Sequence, residues 1–223
     1  MKRESKILVL AALIACGIMA VVDGVIRPGY AVKSAIKIAL FLGIPLLAVF
    51  LSPRIHVSRI FRFQKKGFLT ALLLGLGVYG VILGGYFLVR NFFDFSGIAG
   101  KLTQNAGVTR ENFLYVSLYI SFVNSLLEEF LFRGFAFLTL KKLSNRIFAY
   151  IFSALVFAAY HFGMFAGSYA PLIWVLAMAA LFAAGCVLNY LNEKSGTIYP
   201  SWLVHMFANF GINTVGFLIF GMI

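Results

Sequence analysis

The stretch Ser125-Leu126-Leu127-Glu128-Glu129-Phe130-Leu131-Phe132-Arg133-Gly134 places two carboxylates and a guanidinium in the middle of an apolar run covering about residues 112–140. A run of that length can cross a bilayer as a helix. An ionisable side chain at such depth costs about 2.5–3.5 kcal/mol on insertion scales, so it needs a compensating partner or serves a function. On a helix Glu129 and Arg133 are i and i+4 and share a face, whereas Glu128 is turned about 100° away and keeps its carboxylate free. The bland reading is a salt-bridge cluster that gives packing specificity. It accounts for one acid and the arginine and leaves the second acid unpaired.

The rest of the chain supports a membrane setting. Of its residues 62% are hydrophobic and only 12% charged, with a mean hydropathy of +0.96, far from the usual soluble mix of about half apolar and a quarter charged. Apolar segments fall at about 7–22, 38–52, 67–89, 112–140, 147–164, 172–191 and 201–222. Only helices satisfy their backbone groups at these lengths in lipid. The expectation is an all-α polytopic transmembrane bundle of about seven spans, forming one membrane domain over residues 1–223. Residues 1–110 would supply N-terminal spans and a basic interfacial segment, and 111–223 the helices that carry the chemistry. Pro45 should kink the second span, and Gly75, Gly77, Gly80, Gly84 and Gly85 suit close packing of the third. The start, Met1-Lys2-Arg3-Glu4-Ser5-Lys6 and then Leu13-Ile14-Ala15-Cys16-Gly17, could pass for a lipoprotein signal peptide, but its apolar run continues to Val22, as in an uncleaved span. Cys16 and Cys186 lie within apolar runs and offer neither a disulfide framework nor zinc-ligand spacing.

The net charge of +12 belongs to topology and anionic lipid and gives no case for nucleic acid. With the N-terminus in the cytoplasm, Lys2, Arg3, Lys6, Arg54, Arg59, Arg62, Lys65, Lys66, Lys141, Lys142, Arg146 and Lys194 fall inside. Arg27, Lys33, Lys37, Arg90, Lys101 and Arg110 fall outside, and the excess of inner positive charge fits this orientation. Residues 53–66 alternate basic and apolar positions and suit an interfacial helix on an anionic inner leaflet, with His56 a surface residue. The outer loop 91–111 has no readable role.

Two further apolar runs carry histidines. His161 closes Phe157-Ala158-Ala159-Tyr160-His161, and His205 and Asn209 stand i and i+4 near the start of the seventh run. At about 1.5 Å per residue, Glu128 lies roughly 18 Å above residue 140 and His161 roughly 21 Å above Ile147. His205 comes out at only roughly 7 Å and Asn209 at roughly 13 Å, so tilt or a water funnel must bring the third group level. The fourth, fifth and seventh spans would then converge on one polar cavity. Taken singly, His161 could be a hydrogen-bonded core histidine, and His205 and Asn209 polar glue between helices.

Together, Glu-Glu-x-x-x-Arg at 128–133, Phe-x-x-x-His at 157–161 and His-x-x-x-Asn at 205–209 resemble the three motifs of the CAAX-protease and bacteriocin-processing (CPBP, or Abi) intramembrane peptidases. The motifs occur in the family's order on separate spans, and the resemblance covers the C-terminal half. It implies hydrolysis of a peptide bond in a membrane-associated or lipidated peptide. Glu128 would be the general base for a water and His161 would help bind it. His205 and Asn209 would steady the oxyanion, with Glu129 and Arg133 a supporting pair. A desolvated carboxylate can be tuned to general-base work, and donors aimed at a developing oxyanion gain strength in a low-dielectric cavity.

A metal version stays open, since Glu128, His161 and His205 could hold zinc, which would lower the pKa of a bound water. The chain lacks His-Glu-x-x-His, and the favoured reading needs no cofactor. A catalytically silent bacteriocin self-immunity or scaffold protein of the same fold is the competing function. A proton or ion relay ranks below it, because the first, third and sixth apolar segments carry no acid or histidine. For the biological role, in a bacterial plasma membrane, peptide maturation, bacteriocin or quorum-peptide processing and self-immunity are at least as plausible as cutting at the prenylated C-terminal motifs of the family name.

Overall fold

A computed structural model describes residues 2–92, 95–162 and 171–223. The chain is an all-α polytopic bundle. Six helices are long and apolar enough to cross a membrane: α1 (Arg3–Ile26), α2 (Tyr30–Leu51), α3 (Phe68–Val89), α5 (Phe113–Leu143), α7 (Pro171–Ser195, whose apolar stretch is Trp174–Ser195) and α8 (Tyr199–Ile219). The expected fifth span is the shorter apolar helix α6 (Arg146–Tyr160), closed by His161; the last residues of the expected 147–164 run, 163–164, lie outside the described residues. The loop expected over 91–111 contains the helix α4 (Ser96–Ala106), and its residues 93–94 are outside the described set.

The expected interfacial helix over 53–66 does not form. Among these residues only a 3-10 turn, Ser58–Phe61, is helical, and Ile55 and Ile60 are buried, 1% exposed each. The segment has apolar side chains at Ile55, Val57, Ile60 and Phe61 and then Pro53 and Gly67 at its borders, so it gains more by inserting two isoleucines into the bundle than by lying flat. Its basic side chains still sit at one end of the bundle with those of other segments. Arg54 pairs with Glu4 (3.1 Å), Ser5 donates to the Leu143 carbonyl (2.7 Å), and Lys141 and Arg146 both reach Glu193 (3.1 and 2.7 Å).

Helix α5 forms the centre and departs from α-helical register twice, at π-helical segments Tyr119–Asn124 and Glu129–Thr139. Widening to i→i+5 hydrogen bonding leaves carbonyls short of partners, which is costly where water is excluded. Side chains supply the donors. The carbonyls of Ser117, Ile120 and Phe122 accept from Asn213, Asn209 and Trp202 (3.1, 3.1 and 3.3 Å), Phe132 from Ser153 and Gly134 from Thr139 (2.8 Å each). Asn209 and Asn213, one turn apart on α8, therefore strap α8 to the first π segment. In α2 the segment Ala39–Gly43 is also π-helical, just before Pro45. Proline has no N–H and its ring crowds the carbonyl four residues back, here Phe41, and the wider turn relieves that conflict.

Helix α8 packs along α3, where Gly75 admits the Phe207 ring and Gly211 admits Ile82. The remaining expected packing glycines, Gly77, Gly80, Gly84 and Gly85, meet no neighbour within 4 Å; they lie off the α8 contact, on the outer side of α3. The start of α8 is drawn inward. Ile198 is fully buried, its N–H donates to the Ile60 carbonyl (3.1 Å), and its side chain lies beside Gly134 of α5. Asn192 clasps Ser201 from both sides, Nδ2 to the hydroxyl (2.6 Å) and Oδ1 to the backbone N–H (3.2 Å), which holds the α7–α8 turn in place.

Candidate active site

The inward start of α8 brings His205 level with Glu128. Ile198 stands opposite Gly134, six residues or about 9 Å deeper than Leu140. The depth calculated by counting from residue 201 was short by about that amount. From Gly134 back to Glu128 and from Ile198 on to His205 are nearly equal climbs on antiparallel helices.

Glu128, Glu129 and Arg133 are all buried. Glu129 Oε1 takes the Arg133 guanidinium at 3.4 Å, the i,i+4 pair that the spacing predicts, and also meets His205 Nδ1 at 2.9 Å. Arg133 lies over the Phe157 ring with its guanidinium carbon 3.9 Å from the centroid. None of its nitrogens makes a hydrogen bond among the described residues. The ring face of Phe157 and the Glu129 charge are what hold it.

Glu128 is not free, contrary to the expectation. Its Oε1 lies 2.5 Å from Lys37 Nζ and 3.1 Å from Asn124 Nδ2. Lys37 also donates to Asn124 Oδ1. Sequence reading had put Lys37 outside, among the topology charges. Helix α2 begins eight residues earlier than the 38–52 segment, at Tyr30, so Lys37 is two turns inside it and buried. Lys33, one turn earlier, pairs with Asp23 at 2.5 Å near the helix end.

The other oxygen, Oε2, makes no hydrogen bond among the described residues. It faces His161 Nε2 at 3.8 Å and His205 Nε2 at 3.7 Å. Both rings are oriented from behind: His161 Nδ1 meets the Phe157 carbonyl at 2.8 Å, and His205 Nδ1 meets Glu129. A carbonyl or carboxylate only accepts, so each Nδ1 carries the hydrogen and each neutral ring offers a bare Nε2. Three acceptors thus converge across gaps too long for direct hydrogen bonds, with no donor bonded to Oε2 among the described residues. The fixed charges balance, Lys37 against Glu128 and Arg133 against Glu129, which keeps neutral rings compatible with burial. Asn209 points one of its two amide hydrogens at the Ile120 carbonyl, away from Glu128.

The same three atoms are of types that ligate zinc. Yet the Lys37 ammonium already neutralises the carboxylate that would have to serve the ion, and among the described residues no group of three or more His, Cys, Asp or Glu side chains is arranged to hold a metal. Oε1 being taken by Lys37, a metal would have to use Oε2 and the two Nε2 atoms.

Residues 110–211 match the family described as Rce1-like, type II CAAX prenyl endopeptidase Rce1-like. The match spans less than half of the chain. The match is consistent with CPBP membership and supports a CAAX protease-type membrane protein. The Rce1-like segment holds Glu128, Glu129, Arg133, His161, His205 and Asn209, while Lys37 lies outside it. No curated protein and no solved structure matches the chain.

Proposed function

We infer that the protein is an intramembrane endopeptidase that hydrolyses a peptide bond of a membrane-associated or lipidated peptide by means of a water activated by Glu128. The observation that carries this reading is the convergence of Glu128 Oε2 with the Nε2 atoms of His161 and His205, 3.8 and 3.7 Å away. A water at that point donates one hydrogen to Oε2 and the other to His161. Glu128 takes its proton as the oxygen attacks the carbonyl carbon, and returns that proton to the leaving nitrogen when the C–N bond breaks. The carbonyl oxygen becomes an oxyanion. His205 steadies it once its bare Nε2 has taken up a proton from solvent, which Glu129 compensates from the Nδ1 side, and Asn209 adds its second amide hydrogen. Arg133 keeps Glu129 in place. No cofactor enters this scheme.

The basic end of the bundle, at Arg54, Lys141 and Arg146, suits an anionic inner leaflet with the N-terminus in the cytoplasm, in a bacterial plasma membrane. The family description points to prenylated peptides ending in Cys-aliphatic-aliphatic-X as the first substrates to try. The test is cleavage of a panel of farnesylated and unmodified peptides of that kind by purified protein in detergent. Wild type should cut at least one lipidated peptide, and Glu128→Gln and His161→Ala should cut none while keeping the wild-type melting profile. A folded wild type that cuts nothing, with a cellular phenotype that survives both substitutions, would favour the silent immunity or scaffold protein instead.

A further inference from the structure

Lys37 reaches the site from the N-terminal half, and no motif marks it. Its side chain is 6% exposed. Its ammonium has three hydrogens: two directions are taken by Glu128 Oε1 and Asn124 Oδ1, and the rest of the head faces the rings of Tyr160 and Phe41, 4.8 and 5.1 Å from their centroids. Asn124 closes a triangle by donating to the same Glu128 oxygen. Lys33, one turn away, is committed to Asp23. Among the described residues Lys37 is therefore the cation bonded to Glu128, and both it and Asn124 donate to the same oxygen.

We propose that Lys37 is a positioning residue of the site, holding Oε1 of Glu128 so that Oε2 alone faces the water between His161 and His205. The inference rests on Glu128 being the base. Two donors on Oε1 remove the freedom of the carboxylate to rotate, and the carboxylate plane then points its second oxygen at a single place. The cation also compensates the charge that Glu128 must carry before it can accept a proton. A lysine that served only to tie α2 to α5 would have no reason to act through one carboxylate oxygen. Its loss would lower stability and leave turnover per folded molecule intact.

The experiment measures kcat, KM and Tm of the full chain in detergent with an internally quenched farnesylated peptide as probe. The variants are Lys37→Met, Lys37→Arg, Glu128→Gln and the double variant Lys37→Met/Glu128→Gln. Lys37→Met is expected to lower kcat on the order of 100-fold, the scale of a misplacement by about 1 Å, with KM within about threefold. Lys37→Arg, which keeps the charge, should recover about tenfold of that loss. Glu128→Gln abolishes cleavage, so adding Lys37→Met to it reads stability alone: the double variant should regain the Tm that Lys37→Met loses. The double variant, with both charges removed, supplies a folded reference if Lys37→Met alone is unstable. Lys37→Met with kcat within about threefold of wild type would overturn the inference while leaving Glu128 as base. Wild type leaving the probe whole, or Glu128→Gln cutting at the wild-type rate, would defeat the base reading and this inference with it.

Discussion

Ile198 lies against Gly134, and that contact sets the height of the whole α8 helix relative to α5. A Cβ at residue 134 would collide with Ile60 and just touch Ile198, so the branches of a valine would press on both. Gly134→Val should therefore push the α7–α8 turn outward and separate His205 from Glu128 without removing any polar group. Overpacking of this kind costs about 1–3 kcal/mol, and a shift of about 1 Å costs about 100-fold in turnover. Thermal melting and cleavage rates of the variant check both figures.

Arg133 is fully buried, and Glu129 is its only charged partner among the described residues. Arg133→Leu leaves Glu129 uncompensated in the interior and should cost about 3–5 kcal/mol. The double variant Glu129→Gln/Arg133→Leu removes both charges and should regain most of that stability, as measured by denaturation in mixed micelles. It should regain little activity, because His205 then lacks the carboxylate that neutralises its protonated ring.

Glu193 provides the control. It gathers Arg146, Lys141 and Tyr150 at 2.7, 3.1 and 2.7 Å at the basic end of the bundle. Arg146 is 62% exposed there. Exposed pairs of this kind contribute at most about 1 kcal/mol. Glu193→Ala should lower Tm slightly and leave cleavage unchanged; an inactive but folded Glu193→Ala would mean that the account places the chemistry too narrowly.

Much of this was legible in the residues. The burial of Glu128, Glu129 and Arg133, the i,i+4 pair, and the common depth of Glu128 and His161 followed from helical geometry applied to apolar runs. The depth of His205 did not, since it depends on Ile198 sinking beside a glycine of another helix, a tertiary fit with no periodic signature. Lys37 was missed for a related reason. A lysine at the edge of an apolar run reads as a surface charge, and only the partner that faces it shows otherwise. The π-helical segments of α5 were also hidden, although the serines, threonine and asparagines that satisfy their carbonyls were visible as polar residues in apolar runs.

The central claim is that the Glu128 carboxylate activates a water without a metal. The most direct measurement is cleavage of the farnesylated peptide by wild type and Glu128→Gln, each with and without a strong zinc chelator. The account predicts that wild type cuts equally well in both conditions and that Glu128→Gln cuts in neither. Loss of wild-type cleavage on chelation, restored by added zinc, would contradict it.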